Sequence, residues 1–226
     1  MKAKVFSLIL FFTLVSVATA KEPYFVTSGN QTLYYERYKA GTTKLVQTTT
    51  LEIGEVEQDG SCTLVNYTIT LRKANGQPMF GGAAPMTARI EKNGDTWTDL
   101  GGAVKGMLKN MFPTTKLKGS GDAAIMPANL HPGDSLPEAH CCVMAGIAKL
   151  TIDVTERSVL REETITTPAG TFKCMVARQH KVENAPLHHA DNWSDSWYAP
   201  GVGYVRHDTY DKKMVLLTSE ILISKE

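Results

Sequence analysis

The chain of 226 residues has almost no net charge, formally +1, and the loss of Lys2 and Lys4 with a leader would tip it slightly acidic. A protein without an excess of either sign gives no electrostatic reason to expect nucleic acid or an anionic membrane surface as partner. Several enzyme motifs are missing too. There is no Gly-x-Ser-x-Gly elbow for a serine nucleophile. No Gly-x-Gly-x-x-Gly opens a helix, so a dinucleotide site is unsupported. No Cys-x-x-Cys pair offers metal-ligand spacing. Neither an internal repeat nor a low-complexity tract is present. Together these gaps point away from an enzyme, and no cofactor or metal is implied.

What is there begins with "MKAKVFSLILFFTLVSVATA". Lys2 and Lys4 form a basic start, an apolar run covers residues 5–17, and Ala18-Thr19-Ala20 fits the small-x-small cleavage rule. That run is shorter than the roughly 20 apolar residues a membrane span needs. A signal peptide over residues 1–20 is expected, with an exported mature chain starting at Lys21 in the periplasm or cell envelope. No cysteine follows the cleavage site to carry a lipid. The remainder, 21–226, suits a single β-rich domain with enough length to bury a core without staples.

Period-two alternation dominates that domain. Over 63–72, Val65, Tyr67, Ile69 and Leu71 alternate with Leu64, Asn66, Thr68 and Thr70. Ala148, Leu150, Ile152 and Val154 alternate with polar neighbours in the same way. Near the end Val215, Leu217, Ile221 and Ile223 share one face, interrupted by Ser219, and the Thr-rich stretch 43–53 reads as a further strand. Strands with one wet face belong to antiparallel sheets. Asp59-Gly60, Asn75-Gly76, Asn93-Gly94 and "TPAGTF" around Pro168 and Gly170 supply the turns. The expected fold is mainly β, a curved antiparallel up-and-down sheet forming an open or half barrel. One helix should cover it near 100–112: Leu100, Val104, Met107, Leu108, Met111 and Phe112 make an apolar stripe between an Asp99 cap and a Pro113 stop. Gly101, Gly102 and Gly106 weaken it by about 1 kcal/mol each relative to Ala, so it should depend on packing against the sheet.

Four cysteines remain, at 62, 141, 142 and 174. In an exported chain an even count permits disulfides. If the 148–154 strand extends back, Cys142 and Met144 continue its apolar face and Cys141 points away. Cys174, in phase with Phe172 and Val176, reads as core. In a meander Cys174 lies two strands from Cys142, about 9.6 Å, beyond the roughly 7 Å a bridge allows. Cys62, Cys141 and Cys142 are therefore the disulfide candidates, and no bridge at all stays open. His180, His188, His189 and Asp191 fall in a stretch that reads as a polar hairpin loop.

The stretch "SWYAPGVGYVRHDTYD" at 196–211 concentrates Gly, His, Arg and Asp without a nucleophile and base that could act together. It reads as a corner: Trp197 and Tyr198 end a strand, Pro200 and Gly201 turn, and Tyr204, Arg206, Asp208 and Tyr210 alternate onto one face of the next. This hairpin, preceded by "TPAGTFKC", resembles the TapB-like group of uncharacterised bacterial exported proteins, where an Ala-Gly-x-Phe turn precedes a Trp-Tyr-x-Pro-Gly-x-Gly hairpin. The resemblance covers 167–210. It implies a Gram-negative envelope protein with a curved antiparallel sheet, similar by analogy to the open barrels of LolA-like lipoprotein carriers, and it brings no catalytic residues with it.

The functional expectation is an exported binding or carrier protein for an apolar ligand such as a lipid, acyl chain or lipoprotein tail. The helix and the apolar stretch 78–86 motivate it, because flexible methionines suit variable apolar partners. The expected ligand-binding residues are Met79, Met86, Val104, Met107, Leu108, Met111 and Phe112. The alternative is a structural or partner-binding envelope protein using Tyr34, Tyr35 and Tyr38 of "LYYERY", and peripheral membrane contact is compatible with both.

Overall fold

The computed structural model describes residues 21–226; the expected signal peptide lies outside the described residues. Asn30 leads into β1 (Gln31–Lys39), which hairpins into β2 (Leu45–Asp59) and then β3 (Cys62–Lys73). β4 (Ala84–Ile90) and the short β5 (Thr96–Asp99) run directly into helix α1 (Leu100–Met111). Two further short strands follow, β6 (Leu117–Gly121) and β7 (Ala123–Met126), and then β8 (Ala139–Ala145). The chain finishes in long strands: β9 (Ala148–Thr167), β10 (Gly170–Ala185), β11 (His188–Ala199), β12 (Gly203–Asp211) and β13 (Leu216–Lys225).

All thirteen belong to one antiparallel sheet in the order β6-β8-β9-β10-β11-β12-β13-β1-β2-β3-β4-β5-β7. The chain ends pair with each other, Leu33 opposite Lys225 and Lys39 opposite Thr218. The sheet thus curls almost completely into a barrel. The seam lies between its edge strands, β6 and β7, which are consecutive in sequence and linked only through Asp122.

Helix α1 lies over this seam. Asp99 caps it as expected, its carboxylate accepting from the Gly102 amide at 2.8 Å. Its stripe is used on one side of the seam, where Val104, Leu100 and Leu108 pack with Cys141 and Val143 of β8 and Leu150 and Ile152 of β9. Two glycines permit the close approach. A Cβ on Gly101 would sit 2.5 Å from the Gly121 amide nitrogen, and one on Gly121 would sit 2.8 Å from that of Gly101. At the other corner, Val202 N–H donates to Ala199 carbonyl at 3.2 Å with Gly201 at φ +68°. That is a type II turn with Pro and Gly in their preferred places.

Three expected strand faces are corrected. In β8 the buried residues are Ala139, Cys141 and Val143, while Cys142 is exposed. A turn at Gly146-Ile147 separates β8 from β9, so the phase of β9 does not carry back. In β13 the buried residues are Glu220 and Leu222, and Val215 and Leu217 are exposed. The inward face holds a carboxylate, which reversed the apparent phase. In β12, Tyr204 pairs with Tyr198 but Arg206 pairs with Trp197, because a bulge intervenes. Tyr204 and Arg206 therefore face opposite ways.

A cavity inside the barrel and its polar neighbours

The main core joins Leu33, Tyr35, Leu51, Ile53, Val65 and Tyr67 of the first three strands to Cys174, Val176, Trp197, Val205 and Leu222 of the last four. Residues 24–26 enter beside them; Gly201 N–H donates to Pro23 carbonyl, and Phe25 tilts against Tyr67 with centroids 5.3 Å apart. Packing is incomplete. A cavity of about 210 Å³ remains, lined by Tyr24, Phe25, Tyr35, Tyr67, Tyr198 and Tyr204 on the wall and by Thr96, Thr98, Ala124 and Ile125 beside the seam. Tyr35 and Tyr204 stack at 4.6 Å, and the Tyr35 hydroxyl donates to the Tyr204 carbonyl at 3.1 Å. Burial holds the Tyr35, Tyr67 and Tyr204 phenols above their ordinary range, so the lining stays neutral.

One cation enters this aromatic lining. Arg157 of β9 is only 7% exposed. Its Nη1 donates to the carbonyls of Ile125, on the free edge of β7, and of Pro137. Its Nε has no partner among the described residues. Burial pulls its pKa below the usual guanidinium value, but an arginine stays charged. A buried guanidinium held by two carbonyls and no carboxylate is costly on its own. Here it both ties β9 to β7 and presents donors toward the cavity.

Further along the interior the lining turns polar. Glu220 accepts from Arg37 Nη2 at 2.9 Å and from the Thr49 hydroxyl at 2.7 Å, and Gln47 donates to Thr49. His207, opposite Glu220, exchanges a 2.7 Å hydrogen bond with Ser196. Burial, helped by the Arg37 and Lys181 charges, pushes the imidazole down to about 3. It is neutral across the physiological range.

The seven expected ligand residues do not share one cavity. Met86 lines the interior, and with Tyr67 it also lines an open groove of about 520 Å³ beside the first turn of α1. Val104 and Leu108 are taken up in sealing β8. Met107 is half-buried, Met79 lies half-buried in the β3–β4 loop, and Met111 and Phe112 are exposed at the helix end. The stripe showed that a helix forms but not which strands it covers. The disulfide candidates Cys62, Cys141 and Cys142 are free thiols, as is Cys174, which burial pushes up to about 12. Adjacent Cys141 and Cys142 face opposite sides, and β4, β5, β7, the seam and β6 separate Cys62 on β3 from β8. The histidines are engaged singly: His180 with Asp191 and stacked on Trp193, His188 with Glu183, His189 with Asn184. No group of three or more His, Cys, Asp or Glu among the described residues is arranged to hold a metal.

Arg157 and Glu220 escaped the sequence reading, and His207 was read only as part of a structural corner. The charge-rich run "TERSVLREE" carries no two-residue period to set the facing of β9 past Val154, and Glu156 takes φ +49° just before Arg157 without a glycine to mark it.

The DUF3108-like family matches residues 28–222. The chain belongs to that family. Among solved structures, this DUF3108-like barrel is similar to a candidate exported protein with a YmcC-like fold from Bacteroides fragilis. The two are 21% identical with a TM-score of 0.73, over 91% of this chain and 99% of that one. A candidate lipoprotein from Parabacteroides distasonis is also 21% identical, with a TM-score of 0.74 over 92% and 100%. At that identity the likeness establishes the fold. No curated protein matches the chain.

Proposed function

We propose that this DUF3108-like protein is an exported, non-catalytic binding or carrier protein whose barrel interior takes an apolar ligand with an anionic end. The carrying observation is the aromatic cavity of about 210 Å³ beside an unsealed seam, with Arg157 at its margin. Ligand sites are mostly apolar with a few placed polar groups, which matches this lining. The volume suits a short acyl chain; a longer one would need α1 and the seam to part. The names of the two relatives support a cell-envelope location, and the 167–210 motifs support the narrower TapB-like assignment.

Native mass spectrometry and calorimetry with octanoate and octanol test this reading. Both should bind. Ala124→Leu, which fills the cavity from the seam side, should abolish both. Arg157→Gln should weaken octanoate by roughly tenfold, the worth of one charged hydrogen bond, and leave octanol unchanged. Failure of the parent protein to bind either, or equal binding by Ala124→Leu, overturns the proposal.

A further inference from the structure

Antiparallel neighbours turn back at alternate ends of a barrel, and here β13 pairing with β1 continues the alternation through the chain ends. The β1–β2, β3–β4, β8–β9, β10–β11 and β12–β13 connections therefore share one end. Helix α1 delivers its C-terminus there as well. Asn110 donates to the Ala83 carbonyl of the β3–β4 loop at 2.7 Å, and Leu117, opening β6, pairs with Ala145 at the close of β8.

This end differs from the other in two independent ways. Among the described residues nine large apolar side chains are exposed, and eight lie here, Trp97 on β5 being the exception. Ile147 and Leu187 stand at hairpin tips with relative exposures of 101% and 109%. Met214 and Val215 form the next tip, and Met111 and Phe112 end the helix. Leu187 also has φ +63°, a conformation folding alone would give to Gly or Asn. An apolar residue that touches nothing and sits in an unfavourable backbone region contributes nothing to the fold.

The second difference is charge. Residues 39–44, 72–83, 109–118, 145–149, 185–188 and 211–216 make up this rim. They contain ten Lys and Arg and a single acidic residue, Asp211, which accepts from the Lys213 and Val215 amides of its own turn. Lys212 and Lys213 directly precede Met214, Lys149 follows Ile147 by two, and Lys116 and Lys118 follow Phe112. At the opposite end the strand ends and connections carry Glu57, Asp59, Glu91, Asp95, Asp134 and Glu138 beside Lys92. The near-zero net charge therefore conceals a strongly basic end.

We propose that the basic, apolar-tipped end is a docking surface for a lipid bilayer carrying anionic headgroups. Ile147, Leu187, Val215 and Phe112 insert between headgroups while the neighbouring lysines meet phosphates. Attraction to an anionic leaflet fades within a Debye length, about 10 Å at 0.1 M salt, so lysines act only from the rim that carries the tips, where these are. Single aliphatic residues on separate fingertips suit headgroup insertion; nucleic acid would call for aromatic platforms in a groove. Docking engages the last turn of α1, the element over the seam.

Vesicle co-sedimentation of the purified protein tests this. It should bind phosphatidylethanolamine vesicles containing phosphatidylglycerol, and bind pure phosphatidylcholine vesicles far less. The double variant Ile147→Asp and Leu187→Asp should bind roughly tenfold or more weakly, the worth of one or two buried aliphatic side chains, with an unchanged melting temperature. Lys212→Glu with Lys213→Glu should remove much of the dependence on phosphatidylglycerol. No binding to the anionic vesicles, or parent-like binding by the Asp double variant, overturns the proposal. So does equal affinity for a DNA duplex that the Asp double variant retains. Octanoate binding by the Asp double variant should match the parent, so docking and cavity binding stand or fall separately.

Discussion

The two sides of the barrel are built to different standards. The wall from β9 round to β3 uses strands of up to 20 residues, and its β9–β10 ladder runs from Thr167–Gly170 to Thr151–Asn184. The seam side uses strands of four or five residues at β5, β6 and β7, and a helix with three glycines. Inside the wall the chief buried polar cluster is paired, Glu220 with Arg37 and Thr49, while Gln31 Oε1, Arg37 Nε and Ser194 Oγ have no partner among the described residues. Across the seam the margins meet through Arg157, the Gly101–Gly121 approach, the apolar packing of α1 on β8 and β9, and a small cluster of Met126, Leu130, Leu136, Val159 and Ala177. Global stability is therefore a property of the wall, and access a property of the seam.

The sharpest way to break the comparison is Glu220→Ala. It removes the buried carboxylate that holds Arg37, whose side chain keeps 27% exposure, so the cost should fall at the low end for a buried pair, about 3 kcal/mol. Urea denaturation should show that loss in the whole cooperative transition. Gly101→Ala acts on the seam. The added methyl gains up to about 1 kcal/mol of helix propensity but meets the Gly121 backbone at 2.5 Å, an overpacking cost of about 1–3 kcal/mol. Net destabilisation should be about 1 kcal/mol, with faster amide exchange confined to α1 and β6.

His207 sharpens the wall's side through pH. Its folded value is depressed to about 3, so below the unfolded value near 6.5 only the unfolded chain takes up the proton. This contribution is constant above that pH and falls by about 1.4 kcal/mol per unit as pH drops toward 3. Subtracting the His207→Gln stability profile from that of the parent between pH 7 and 5 should recover the slope; parallel profiles would refute it. Asp99→Ala is the mildest change. It removes the helix cap, should cost about 1 kcal/mol, and should raise exchange in the first turn of α1 alone.

The sequence carried the elements well and their facing poorly, for physical reasons. Turns at Asn75-Gly76, Pro168–Gly170 and Pro200-Gly201, and the capped helix at Asp99, were legible because each is fixed by local backbone chemistry. The phase of β13 was not, since Glu220 is inward only by virtue of Arg37, 183 residues away. The β12 bulge and the Gly146 turn before β9 likewise changed which residues face the core. The cavity drew on six or more elements, so only Met86 of the expected ligand residues lines it. Charge segregation was invisible for the same reason: topology gathers five connections at one end.

Native-state hydrogen exchange across low denaturant concentrations tests the division between wall and seam most directly. Amides of α1, β6 and β7 should exchange through an opening well below the global free energy, while those of β1, β2, β10 and β11 exchange only at the global value. Exchange of α1, β6 and β7 at the same global value as the wall would contradict the account.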